Sequence, residues 1–220
     1  MKTLIAIPCM DMVHTNFMVS LLNLKKTEDT FYAPMAGSLI YDSRNMFAAK
    51  AIDGNYDRVL YVDSDMVFAS DMLNRLNADM DEHNLEYVCG LFFKRRVPTS
   101  PVIYKTLDYR IEDGKLICAD AVTYHDYPRN ALFRIQGSGM GAVLVKTQLL
   151  KDVWEKYGPP FDPMTQYGED LSFCWRVNHL GRGMWCDSSV NVGHIGNTVF
   201  SEETYLAQTP GHQEHEQREA

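Results

Sequence analysis

The sequence predicts an α/β protein with a mixed, mainly parallel central sheet, flanking helices and a small antiparallel hairpin. Three observations carry this expectation. Short apolar runs of buried-strand character alternate with amphipathic runs of helical period, one pair of alternating segments meets at Glu112-Asp113-Gly114, and 45% of the 220 residues are hydrophobic, enough to bury a sizeable core. The expected organisation is a single domain over residues 1–206 and a polar, flexible tail over 207–220, whose "TPGHQEHEQREA" offers little to bury.

Taken in order, "TLIAIP" at 3–8 reads as the first buried strand and "NFMVSLLNLKK" as the first helix. "SLIYDSRNMFAAKAIDGNY" predicts a short extended piece and a helix that stops at Gly54, and "RVLYV" is the next strand. Strand–helix–strand succession of this kind favours parallel pairing. A helix over about 70–83 and the strand "EYVCGLFF" at 86–93 follow. "PVIYKTLDYRIEDGKLICAD" then reads as a hairpin that interrupts the series. "ALFRIQGSGMGAVLVKTQLLKDVWEKYG" gives strand, glycine-rich bend, strand and helix, and "QYGEDLSFCWRVNHLG" opens a last helix at its acidic pair and closes it at Gly181.

The formal charge of −8 argues against general affinity for nucleic-acid backbone or an anionic membrane, so neither is the expected partner. Lys94, Arg95 and Arg96 form one local basic patch. The five cysteines, Cys9, Cys89, Cys118, Cys174 and Cys186, are odd in number and never at C-x-x-C spacing, and they read as reduced, mostly buried thiols. The opening "MKTLIAIPCMDMVHT" has too few apolar residues for a signal peptide, and no run approaches the roughly 18 needed to cross a bilayer. A cytoplasmic protein without a transmembrane segment is expected.

Two acids flank a serine at the end of one apolar run, in "LYVDSDMVF". In an extended strand Asp63 and Asp65 project from the same face, close enough to share a hard cation; in a turn they would cap the following helix instead. "GSGMGA" at 137–142 matches the dinucleotide fingerprint, but the β-branched "AVLV" follows where that fingerprint needs a helix, so the glycines read as a bend bringing backbone close to a ligand. Glu169 and Asp170 suit a helix N-terminus through the dipole, and one of them also suits a general base. Read alone, His194 is a histidine satisfied by backbone in a glycine-rich turn, and Arg44 is a solvated residue at a helix start.

The order of these segments resembles the GT-A (Rossmann-like) class of nucleotide-sugar glycosyltransferases, of the family 2 type. "IAIPCMDMV", with Pro8, is similar to the first strand and turn that receive the nucleotide base, and "YDSRNMFAAKAI" to the helix whose arginine, here Arg44, lies near the nucleotide. "YVDSDMVF", with Asp63, Ser64 and Asp65, resembles the D-x-D motif, and "GSGMGAVLVK", with Gly139, the segment near the donor sugar. "YGEDLSFCWRVNHLG" resembles the acidic motif of a late helix, and "VGHIGN" the late histidine.

The resemblance implies transfer of a sugar from a nucleoside diphosphate sugar, a UDP-sugar first of all, to an acceptor hydroxyl, with inversion and with manganese or magnesium as cofactor. It makes Asp65 the direct metal ligand and His194 the second. Asp63 then faces the ribose or reaches the metal through water. Asp170 becomes the general base and Glu169 an acceptor-binding residue. Two other functions fit parts of the pattern. One is a non-catalytic nucleotide-sugar binding module that keeps the clamp without the base. The other is a haloacid-dehalogenase-type phosphatase, whose D-x-D-x-[TV] string matches but whose lysine has no persuasive counterpart.

Overall fold

The structure, a computed structural model, describes residues 1–196 and 199–208. Thr3–Cys9 forms β1, Thr15–Asn23 α1, Thr30–Ala36 β2, Ile40–Asp53 α2, Arg58–Val62 β3, Met66–Phe68 β4, Met72–Glu82 α3 and Tyr87–Leu91 β5. The second half adds β6 (Ile103–Glu112), β7 (Lys115–Thr123), β8 (Leu132–Ile135), β9 (Gly137–Ser138) and β10 (Ala142–Lys146). It closes with α4 (Thr147–Tyr157), α5 (Glu169–His179), β11 (Met184–Ile195), β12 (Val199–Phe200) and α6 (Glu202–Ala207).

The main sheet runs β12-β11-β5-β10-β3-β1-β2, with β4 and β8 also paired to β11. β1, β2, β3, β5 and β11 point one way, and β10 runs against both of its neighbours. The sheet is therefore mixed and mainly parallel, as the alternation of strand and helix patterns predicts. β7, β6 and β9 make the small antiparallel sheet. Its hairpin turns on Asp113 and Gly114, both at positive φ (50° and 74°), the backbone that a two-residue turn with right-handed strand twist demands.

Strand periodicity sorts the core into two layers. Leu4, Ala6, Val59 and Tyr61 face Phe47 of α2, Leu149 and Val153 of α4, and Phe173 of α5. Their sequence neighbours Ile5, Ile7, Leu60 and Val62 face Phe17 of α1 and Leu73, Leu76 and Met80 of α3. Both faces of the sheet are covered, and ligand chemistry is left to the loops at the strand ends.

Several elements depart from the sequence expectations. The short extended piece expected at 38–40 is only the approach to α2, and the strand lies earlier, at β2, where Pro34 is tolerated because β2 is an edge of the sheet. β4, β11 and α6 have no counterpart in the predicted series. β11 shifts register between Asp187 and Asn191, so that its last residues leave β5 and pair with β4 and β12. Ala207, assigned to the tail, ends α6; residues 209–220, with His212 and His215, and Asn197 of "VGHIGN" lie outside the described residues.

Candidate active site

The aspartates do not share a strand face. β3 ends at Val62, and Asp63-Ser64-Asp65 form a tight turn closed by the Met66 N–H donating to the Asp63 carbonyl (3.2 Å). Neither acid caps α3, which begins at Met72 with Asp71 before it. The turn is held by backbone at both ends: Asp63 N donates to the Gly141 carbonyl (3.2 Å), and Ile195 N donates to the Asp65 carbonyl (2.8 Å). The D-x-D turn is thereby fixed between the glycine segment and the end of β11. His194 sits on that strand, directly across from Met66 in β4, and not in a free turn.

The two acids separate into two clusters. Asp63 Oδ1 accepts from Arg44 (2.8 Å), whose other nitrogen donates to Glu169 at the start of α5. Arg44 is 3% exposed, so it is not a solvated surface residue. It cross-links α2, the D-x-D turn and the acidic pair. Asp65 Oδ2 forms an ion pair with Arg95 (2.8 Å) and stands 3.5 Å from His194 Nε2.

The His194 tautomer follows from its other nitrogen. Nδ1 lies 2.8 Å from the Phe93 carbonyl, which can only accept, so Nδ1 carries a hydrogen. In the neutral ring Nε2 then presents a lone pair towards an acceptor oxygen, and only a proton or a cation between them makes that contact favourable. Asp65 Oδ1 is buried without a hydrogen-bond partner among the described residues. Burial works to raise the Asp65 carboxyl, but His194 and the Arg95 guanidinium hold it below the usual carboxylate range. One carboxylate and one imidazole suit a divalent cation that takes its remaining ligands from a diphosphate. Among the described residues no group of three or more His, Cys, Asp or Glu is gathered around one point, so the protein alone does not complete a metal shell.

Asp170 has the opposite electrostatics. Its carboxyl is pushed up to about 6, first by burial and then by the adjacent Glu169, against the pull of Arg44. One of its oxygens accepts from the Leu171 N–H (2.7 Å). Glu169 spends its carboxylate on Arg44, which leaves Asp170 as the acid of the pair placed to exchange a proton near neutrality.

A cleft of about 720 Å³ opens where these clusters meet, and Pro8, Arg44, Asp63, Ser64, Asp65, Gly139, Glu169, Asp170 and His194 all line it. The topology thus brings to one cleft the nine residues that the resemblance marks as site residues. The reason for glycine at 139 is packing: an added Cβ would stand 2.8 Å from Val102 and 3.1 Å from the Phe92 ring. The sequence shows the basic run only as a local patch, and the structure takes Arg95 to Asp65 and Lys94 to the cleft. The available signal was its place immediately after a core strand. The apolar wall of Cys9, Met10, Leu39 and Ile40 carried no signal, because scattered apolar residues read as core or as incidental surface.

No protein-family profile matches the chain, and no curated protein sequence matches it. Solved structures do share the architecture. A197 from STIV has a TM-score of 0.63 at 18% identity, over 89% of this chain and 86% of its own. GalNAc-T7, solved with UDP, GalNAc and Mn2+, has a TM-score of 0.59 at 10% identity, over 96% of this chain. The fold is GT-A-like. At these identities the likeness is one of fold and does not single out family 2, and the chain spans about half (49%) of GalNAc-T7. Among the described residues no helix is long and apolar enough to cross a membrane, and all five cysteines are free, with Cys89, Cys174 and Cys186 buried.

Proposed function

We propose that the protein is a metal-dependent glycosyltransferase of the family 2 type, moving a sugar from a nucleoside diphosphate sugar to an acceptor hydroxyl in the cytoplasm. The observation that carries the proposal is the Asp65 carboxylate facing His194 Nε2, 3.5 Å apart in a cleft that also holds the desolvated Asp170. UDP is the nucleotide of choice and Mn2+, or Mg2+, the metal, in line with the ligands of the similarly folded GalNAc-T7.

In this reading Asp65 and His194 Nε2 hold the cation, which when bound supplies positive charge at the leaving diphosphate. Arg95 uses the same Asp65 oxygen and is half exposed, so it swings aside when the site is filled. Asp63, tied to Arg44, is left to the ribose, with Pro8 towards the base and Gly139 towards the sugar. Asp170 takes the proton of the acceptor hydroxyl as its oxygen bonds to the anomeric carbon. The bond from that carbon to the diphosphate oxygen breaks, and its electron pair leaves with the nucleoside diphosphate. Attack opposite the leaving group inverts the anomeric centre. Glu169, fixed by Arg44, orients the acceptor.

Nucleotide release from UDP-, GDP- and CMP-sugars, measured with and without manganese, tests the reading. Manganese-dependent release of UDP supports it. Binding of UDP without any release leaves a non-catalytic module, and release of phosphate from simple phosphomonoesters points to the phosphatase.

A further inference from the structure

The loop after β5 has its backbone tied at several points. Lys94 N donates to the Ser100 carbonyl (2.9 Å), Arg96 N to the Lys94 carbonyl (2.9 Å), Thr99 Oγ1 to the same carbonyl (2.6 Å), and Thr99 N to Gln208 Oε1 of the C-terminal segment (2.9 Å). This frame fixes the backbone that carries three consecutive cations, and their side chains do different things. Arg95 turns to Asp65. Lys94 lines the cleft with Asp170 and lies with Nζ 5.7 Å from the centre of the Tyr104 ring. Among the described residues neither Lys94 nor Arg96 has an ion-pair partner, in a chain with 29 acidic residues against 21 basic ones.

Burial and the like charge of Arg96 lower the Lys94 pKa, with Asp170 pulling the other way. A partly desolvated ammonium with a second cation two residues on, joined to it by the turn that the Arg96 N–H closes on the Lys94 carbonyl, is an unfavourable arrangement that an anion would relieve. The donor diphosphate belongs with Asp65 and His194, whereas Lys94 feels the charge of Asp170.

We propose that Lys94 and Arg96 form a subsite for an anionic group, a phosphate or its like, carried by the acceptor close to its reactive hydroxyl. That the group belongs to the acceptor rests on the reading of Asp170 as the base; the anion site itself does not. The net negative charge of the chain repels polyanions at large, and the subsite selects for a local anion at the point of reaction.

Inorganic sulfate, which does not precipitate manganese, is the probe. It is titrated at constant ionic strength into the full chain, once alone and once with saturating Mn2+ and UDP, with intrinsic fluorescence or amide shifts as the readout. Saturable binding is expected in both states, weakened at least fivefold by Lys94→Ala with Arg96→Ala and unchanged by Lys115→Ala on the hairpin turn. Lys94→Gln with Arg96→Gln replaces the alanine pair if that variant fails to fold. Sulfate binding abolished by Mn2+ and UDP would assign the anion to the donor's own phosphates and overturn the acceptor assignment. No saturable binding, or binding undiminished in the double variant, overturns the subsite. If UDP with manganese does not bind at all, the donor reading falls, while the sulfate titration of the free protein still decides the anion site.

Discussion

At Asp170 the folded protein keeps a carboxyl whose pKa stands at about 6 instead of 3.8, because burial and Glu169 outweigh Arg44. Transfer should therefore rise with pH through about 6, as the base ionises. Asp170→Asn keeps the side chain's shape but cannot take a proton, and transfer should fall by roughly 10²–10⁴-fold with donor affinity unchanged. Stability should move the other way. A carboxyl with a raised folded-state pKa costs nothing while it is protonated in both states. It becomes a liability as pH rises from the unfolded value to the folded one, and the cost persists above that. Thermal melts should find Asp170→Asn more stable than wild type at pH 8 by roughly 1–2 kcal/mol, a full shift discounted for partial exposure, with the gap closing below pH 4. Arg44 is the structural counterpart. Arg44→Ala leaves Asp63 and Glu169 facing each other without their shared cation, and it should cost about 2–4 kcal/mol, read as a melting temperature lower by roughly 5–15 °C.

Among the elements, those with an unambiguous period were legible: β1, β3, β5 and β10 as apolar runs, α3, α4 and α5 as amphipathic ones, and the β6–β7 hairpin from Asp113-Gly114. β2 was hidden because Pro34 argues against a strand until its edge position is known, and β4 because three residues carry no period. β11 mixes buried and half-exposed residues across a register shift, so neither strand template fits its twelve residues. The site residues were legible for a different reason: they punctuate strand ends and helix starts, where polar side chains stand out against apolar runs. Their partners were not, since nothing in the spacing of Asp63 and Asp65 shows that a turn sends one to Arg44 and the other to Arg95 and His194. The glycine segment gives an element-scale test. Gly139→Ala drives a Cβ against Val102 and Phe92, and chemical denaturation should show a loss of about 1–3 kcal/mol.

For the whole molecule, the fold places every candidate group at one cleft formed by the ends of β1, β3 and β11 and the start of α5, and the central claim is that this cleft binds a nucleoside diphosphate through a cation. The claim has a thermodynamic signature, because a metal bridging protein and diphosphate couples their affinities reciprocally. Removing Asp65 deletes a partly exposed side chain and leaves the core intact, so its effect on binding can be read without a large stability loss. Calorimetric titration of UDP with and without Mn2+ is the most direct test. The account predicts at least tenfold tighter binding with manganese, a difference that disappears in Asp65→Ala and shrinks in His194→Ala. Equal UDP affinity with and without manganese in the wild-type protein would contradict it.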